Sequence, residues 1–175
     1  MLFRSPIPSA EAASAITLRG GHGCKLIGGS WDRNTSTCTV LNLSITQVYT
    51  LKGNFKLKLT GSDNFINGVN FNLYSGTELL IDSGATLTLN NAGIYNYGTI
   101  TNYGTITNNS GGVIYNHGII NNYNGGTISN SYNITNYGGA IIYNSGTITN
   151  NSGGLIINYG TINNSGIIEI GRAHV

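Results

Sequence analysis

The groups best suited to chemistry lie early in the chain: Asp63, Glu78 and Asp82, interspersed with Lys52, Lys56 and Lys58. Carboxylates set across a cleft, with or without a basic neighbour, cleave glycosidic bonds, so polysaccharide breakdown is the reaction such a set would serve. No spacing here fixes a pair at catalytic separation. The charges are expected to solvate outward faces, and no catalytic residue is predicted. Cys24 and Cys38 together with His22 would offer thiol or metal chemistry, but a structural zinc site takes four ligands, and no metal or cofactor is predicted. His117, between Asn116 and Gly118, occupies a place that holds Tyr97, Tyr103, Tyr137 and Tyr159 in related stretches, and it reads as a turn residue.

The elements that must carry these residues are written in the isoleucines. Ile94, Ile100, Ile106, Ile114, Ile120, Ile128, Ile134, Ile142, Ile148, Ile156, Ile162 and Ile168 follow one another at intervals of six or eight residues. From Ile94 to Ile162 each is followed two places later by Asn, and in most units preceded two places earlier by Gly. In a stretch such as Gly104-Thr105-Ile106-Thr107-Asn108, a strand puts Gly, Ile and Asn on one face and both Thr on the other. One buried Ile per short strand cannot repay the ordering of its backbone, so neighbouring units must stack. Identical units stacked about 4.8 Å apart pair their backbones, set Ile on Ile and link Asn amides into ladders. The expected fold is all-β: a single-stranded parallel β-helix, or β-solenoid, right-handed, with short coils, inward Ile and Asn ladders. Gly, Asn, Thr and Ile are mediocre to poor helix formers, which excludes a helical array.

Two windings fit the spacing. Strict six/eight alternation suits two strands per 14-residue coil, with Ile106, Ile120, Ile134, Ile148 and Ile162 in one column and Asn108, Asn122, Asn136, Asn150 and Asn164 in its ladder. Three strands per coil would stagger the longer turns. Residues 1–20 are poorly defined, 21–92 read as irregular early coils or an N-terminal cap, and 93–168 are the regular repeats. Within 21–92, alternating strands are expected over 39–45, 54–59, 68–73 and 85–89, with Phe55, Leu57 and Leu59 inward.

Composition removes whole classes of function. Of 175 residues 26 are Gly and only 8% are charged, and from Asp82 to Glu169 no Asp, Glu, Lys or Arg intervenes. A net charge of +2 from 8 Lys and Arg leaves no basic footprint, so nucleic acid is not an expected partner. No apolar run approaches the roughly 18 residues of a membrane span.

The stretch 98–108, GTITNYGTITN, preceded by SGATL at 83–87, resembles the β-helical repeats of large bacterial and archaeal surface proteins of the adhesin or haemagglutinin type. The resemblance covers residues 75–168. It implies secretion, an extracellular or cell-surface location, a longer parent chain, and a structural or adhesive role with matrix or glycan partners. Secretion makes a Cys24–Cys38 disulfide the simplest reading, with two buried thiols as the alternative. The closing heptapeptide, 169–175, reintroduces charge and back-translates to a common sequencing adaptor, so it is expected to be artefactual.

Two further surfaces follow from the pattern. Tyr97, Tyr103, Tyr137 and Tyr159, if stacked at the turns, would form an aromatic strip able to contact sugar rings, the carbohydrate-binding alternative. The outward pairs Thr99/Thr101, Thr105/Thr107 and Thr147/Thr149 are of the kind arrayed on ice-binding solenoids, but Ile119/Asn121 and Asn133/Thr135 interrupt the series. Strand edges at an end without charged gatekeepers should favour end-to-end self-association.

Overall fold

The computed structural model describes residues 15–62 and 64–171. Three parallel sheets form the walls of a β-solenoid. Sheet A contains Ile16–Leu18, Tyr49–Leu51, Asn70–Leu73, Gly93–Asn96, Val113–Asn116, Asn133–Asn136 and Leu155–Asn158. Sheet B contains Ser30–Asp32, Thr37–Val40, Lys56–Leu59, Glu78–Ile81, Thr99–Asn102, Ile119–Asn122, Ile141–Asn144 and Thr161–Asn164. Sheet C contains Ser44–Ile45, Asn64–Asn67, Thr86–Asn90, Thr105–Asn108, Thr127–Asn130, Thr147–Asn150 and Ile167–Ile170. The chain passes A to B to C in each coil, and the one antiparallel pairing among the described residues joins Ser30–Asp32 to Thr37–Val40.

The winding is therefore threefold, and the columns differ from the 14-residue ones. Ile94 pairs with Ile114 and Ile134 with Ile156, so a coil of the regular repeats takes 20 or 22 residues. Sheet A stacks Ile94, Ile114, Ile134 and Ile156. Sheet B stacks Ile100, Ile120, Ile142 and Ile162, and sheet C stacks Ile106, Ile128, Ile148 and Ile168. The set Ile106, Ile120, Ile134, Ile148 and Ile162 is thus shared among three columns. Three intervals of six or eight make one coil, and the longer turns fall on different corners. In the longer turns Gly111, Gly125, Gly139 and Gly153 all take positive φ, the conformation that lets two extra residues loop outward without moving the strands.

The asparagines likewise form three ladders. Asn96, Asn116, Asn136 and Asn158 run along sheet A, each Nδ2 donating to the next Oδ1 at 2.7–2.8 Å. Asn102, Asn122, Asn144 and Asn164 do the same on sheet B, and Asn108, Asn130 and Asn150 on sheet C. Asn108, Asn122, Asn136, Asn150 and Asn164 are all rungs, but of three ladders. A second bond from most Nδ2 atoms reaches a backbone carbonyl at the start of the next sheet's strand one coil later, as from Asn122 to Thr147 O at 3.0 Å. The amides therefore tie each corner to the next coil.

Register explains where the ladders begin. The place held by Asn in later coils is held by Leu73 before Asn96, by Ile81 before Asn102 and by Leu89 before Asn108. Early strands bury two large apolar residues each, as Leu57 and Leu59 or Leu87 and Leu89 do. Later strands bury one Ile and one Asn, which leaves an Ile-lined cavity of about 220 Å³ toward Ile156, Ile162 and Ile168. The Oδ1 atoms of Asn102 and Asn108 have no donor: the residue one coil earlier is aliphatic, and no backbone N–H replaces it as Gly98 N–H does for Asn96 Oδ1.

Glycines outside the longer turns meet a different demand. A Cβ on Gly118 would run into the carbonyl oxygen of Gly98, and one on Gly146 into that of Gly126. The corner backbone of one coil rests directly on that of the next. Gly138, by contrast, has open space around it and no positive φ.

Two departures from the expected elements occur near the start. Residues 39–45 form not one strand but two, because exposed Leu41 and Asn42 turn the chain between sheets B and C. Residues Gly20–Leu26 form a seven-residue helix that packs on Ile16–Leu18 and on both first strands of sheet B. Its glycines are poor helix formers, but tertiary packing overrides propensity: Gly23 lies so close to Leu18 that no side chain fits. Phe55, Leu57 and Leu59 are buried, and Trp31 stacks on Phe55 with ring centres 5.4 Å apart.

Asn122→Leu is expected to destabilise the protein by about 1–3 kcal/mol more than Asn102→Leu, since it orphans Asn144 Oδ1 whereas the first-rung change only moves an existing orphan one coil. Gly118→Ala should cost about 1–3 kcal/mol through backbone overlap, with Gly138→Ala near neutral. Thermal melts of the four variants test both.

Candidate functional site

The early charges face outward from sheet B and bond to one another. Lys56 Nζ lies 2.8 Å from Glu78 Oε2, its register partner one coil on, and Lys58 Nζ lies 2.7 Å from Asp82 Oδ2. The Lys58 hydrogen bond holds the Asp82 carboxyl below the usual carboxylate range, against the opposing effect of partial burial. Lys52 sits over the Tyr74 ring at 4.7 Å from its centre, a cation–π contact. Asp63 lies outside the described residues. Among the described residues no three His, Cys, Asp or Glu side chains gather as a metal cage.

Cys24 and Cys38 are joined by a disulfide with Cα atoms 5.4 Å apart, and both are fully buried. The bond ties the helix to Thr37–Val40, and the backbone of Gly29 fits against both sulfurs where no side chain has room. His22 is exposed and lines an open depression with Lys25, Trp31 and Arg33.

The turn aromatics divide between two corners. At the corner between sheets A and B the residue after each strand forms one column through Lys52, Tyr74, Tyr97, His117, Tyr137 and Tyr159. Tyr97 and His117 stack at 4.7 Å and 7°, and His117 and Tyr137 at 4.0 Å and 10°. Tyr159 keeps the register, its amide bonding to Asn136 O as that of Tyr137 does to Asn116 O. Tyr103 belongs to the next corner, stacked on Tyr123 at 4.7 Å and 6°. Tyr103 therefore leaves the predicted strip and His117 enters it. The signal for both was the 20-residue coil, which the shorter period concealed.

Coplanar stacking fixes what this column presents. A sugar packs on an aromatic face, and both faces of His117 are covered by its neighbours. His117, inside the stack, offers only its ring edge, while Tyr97 and Tyr137 each have one face against it. Beside them on the outer face of sheet A, Tyr95 and Tyr115 lie 5.0 Å apart at 49°, and Tyr115 tilts toward Tyr137.

No family model, curated protein or solved structure matches this chain.

Because Asp82 is held below its ordinary range, the Lys58–Asp82 pair stabilises above that range and is lost as pH falls through the lowered value. The melting difference between the wild type and Asp82→Asn should be small at neutral pH, under about 1 kcal/mol, and vanish in acid. Reducing the disulfide should lower stability by about 3 kcal/mol for a loop of this size, seen as a drop in melting temperature with reductant. His117→Ala should cost about 1–3 kcal/mol, since it breaks two stacked pairs, and His117→Tyr should retain most of it in the same assay.

Proposed function

We propose that the chain is a non-catalytic structural segment of a secreted or cell-surface protein, a stiff rod that projects or presents an adhesive surface. The observation that carries this is the run of three Asn ladders over stacked Ile, which binds each coil to the next along one axis from Asn96 onward. Low charge and outward hydroxyls suit a surface made for display, and the pairing of the early charges leaves them no convergent cleft. The resemblance of 98–108 to adhesin-type repeats supports the location and the adhesive role. Matrix or glycan is the partner class that follows.

The last described strands, Leu155–Asn158, Thr161–Asn164 and Ile167–Ile170, have no strand beyond them among the described residues, and this edge supports end-to-end association. Light scattering across a concentration series should show oligomers growing with concentration; a monodisperse monomer at the highest concentration counts against it. For the rod itself, beads coated with the chain should adhere to matrix or glycan films while acidic glycans incubated with it release no product. Beads no stickier than uncoated ones, or new chain ends in the glycan, overturn the proposal.

A further inference from the structure

The threefold winding sorts the outward side chains by sheet, and one sheet differs from the other two. On sheet C, Thr86/Thr88, Thr105/Thr107, Thr127/Ser129 and Thr147/Thr149 stand on four successive strands in direct register. The pairs that break the threonine series along the sequence lie elsewhere: Ile119/Asn121 faces out from sheet B and Asn133/Thr135 from sheet A. Neither of those faces repeats one residue type over four coils. The array is bounded by Phe65 on one side and by Ile167 and Glu169 on the other.

Three properties of this array point the same way. Its spacings are those of the sheet, about 4.8 Å between strands and about 6.6 Å between alternate residues, a two-dimensional lattice of hydroxyl and methyl groups. Beneath its last three strands, stacked Ile and the Asn108–Asn130–Asn150 ladder are the kind of side-chain ladder that keeps a sheet from twisting. Only Ser129 Oγ, which accepts from Asn151 Nδ2, and the Thr149 hydroxyl, 3.5 Å from Glu169 Oε2, find side-chain partners among the described residues, and the other six hydroxyls have none among them. All eight side chains are half-buried, and threonine is stiff about χ1, so the groups are held in place before anything binds.

We infer that the outer face of sheet C is an ice-binding surface. Its two repeats lie close to those of a prism face of hexagonal ice, so the hydroxyls hold first-layer water near lattice positions while the methyls occupy the gaps between. Each contact is weak, and many rigid contacts made at once turn weak binding into persistent adsorption. The absence of charge from residue 83 to residue 168 serves the same end, because an ion on this face would organise water around itself. The surface is compatible with the rod of the preceding section and does not depend on it.

The test uses the full chain in nanolitre osmometry with ice-crystal morphology, together with ice recrystallisation. Wild type should facet growing crystals, open a gap between melting and freezing, and keep grains small. Thr107→Lys, at the centre of the array, should lose all three, while Thr99→Lys on the neighbouring face of sheet B should lose none, with equal melting temperatures for both. If Thr107→Lys fails to melt cooperatively, Thr127→Tyr on the same face takes its place. Round crystals and grain growth at the buffer rate with wild type overturn the inference, as does equal loss in both face variants. Retention on crystalline cellulose or chitin that Thr107→Lys abolishes, without ice activity, reassigns the face to glycan and overturns it as well.

Discussion

Everything in this molecule depends on one coil lying directly upon the next. In the regular coils backbone pairing between strands 20 or 22 residues apart sets the spacing, and inward Ile meets Ile and Asn meets Asn at that distance. Only residues that pack or bond well with their own kind are tolerated inside. Isoleucine does so by shape, and asparagine by carrying a donor and an acceptor on the same amide. At the corners, where carbonyl oxygens of one coil press on the next, the same requirement removes the side chain and leaves glycine.

This self-complementarity made much of the fold legible. An Ile every six or eight residues, with Asn two places on, states strand length, inward face and stacking through the order of residue types alone. The number of strands per coil was harder, because six and eight alternate so regularly that two intervals look like a complete period. Three intervals also close a coil, and the ambiguity is resolved only by where the outward loops fall. The helix at Gly20–Leu26 was not legible at all, since its sequence argues against helix and its cause is contact with Leu18 and the buried disulfide.

The candidate sites inherited the same ambiguity. Tyr97, Tyr137 and Tyr159 share a corner under threefold winding, whereas Tyr103 moves to another corner and His117 fills the gap it leaves. Outward threonines that look interrupted when followed along the chain become continuous when followed along the axis. In a solenoid the surface is read across coils, and a sequence read end to end interleaves three unrelated faces. The ion pairs of Lys56 and Lys58 were hidden for the same reason, because their partners are one coil away rather than adjacent in sequence.

The ladders also have a direction. In the three inward ladders each amide nitrogen that meets another rung donates toward the later coil, so unmet oxygens occur at the beginning of a ladder, at Asn102 and Asn108, and not at an interior rung. Starting a ladder carries that cost at most once, whatever its length, and on sheet A not at all, since Asn96 Oδ1 accepts from Gly98 N–H. Inserting or deleting a whole coil farther along leaves the number of orphan oxygens unchanged and preserves all three faces. A chain built this way is free to vary in length by single coils through duplication or loss of a short stretch of coding sequence, with no selection from the core against either.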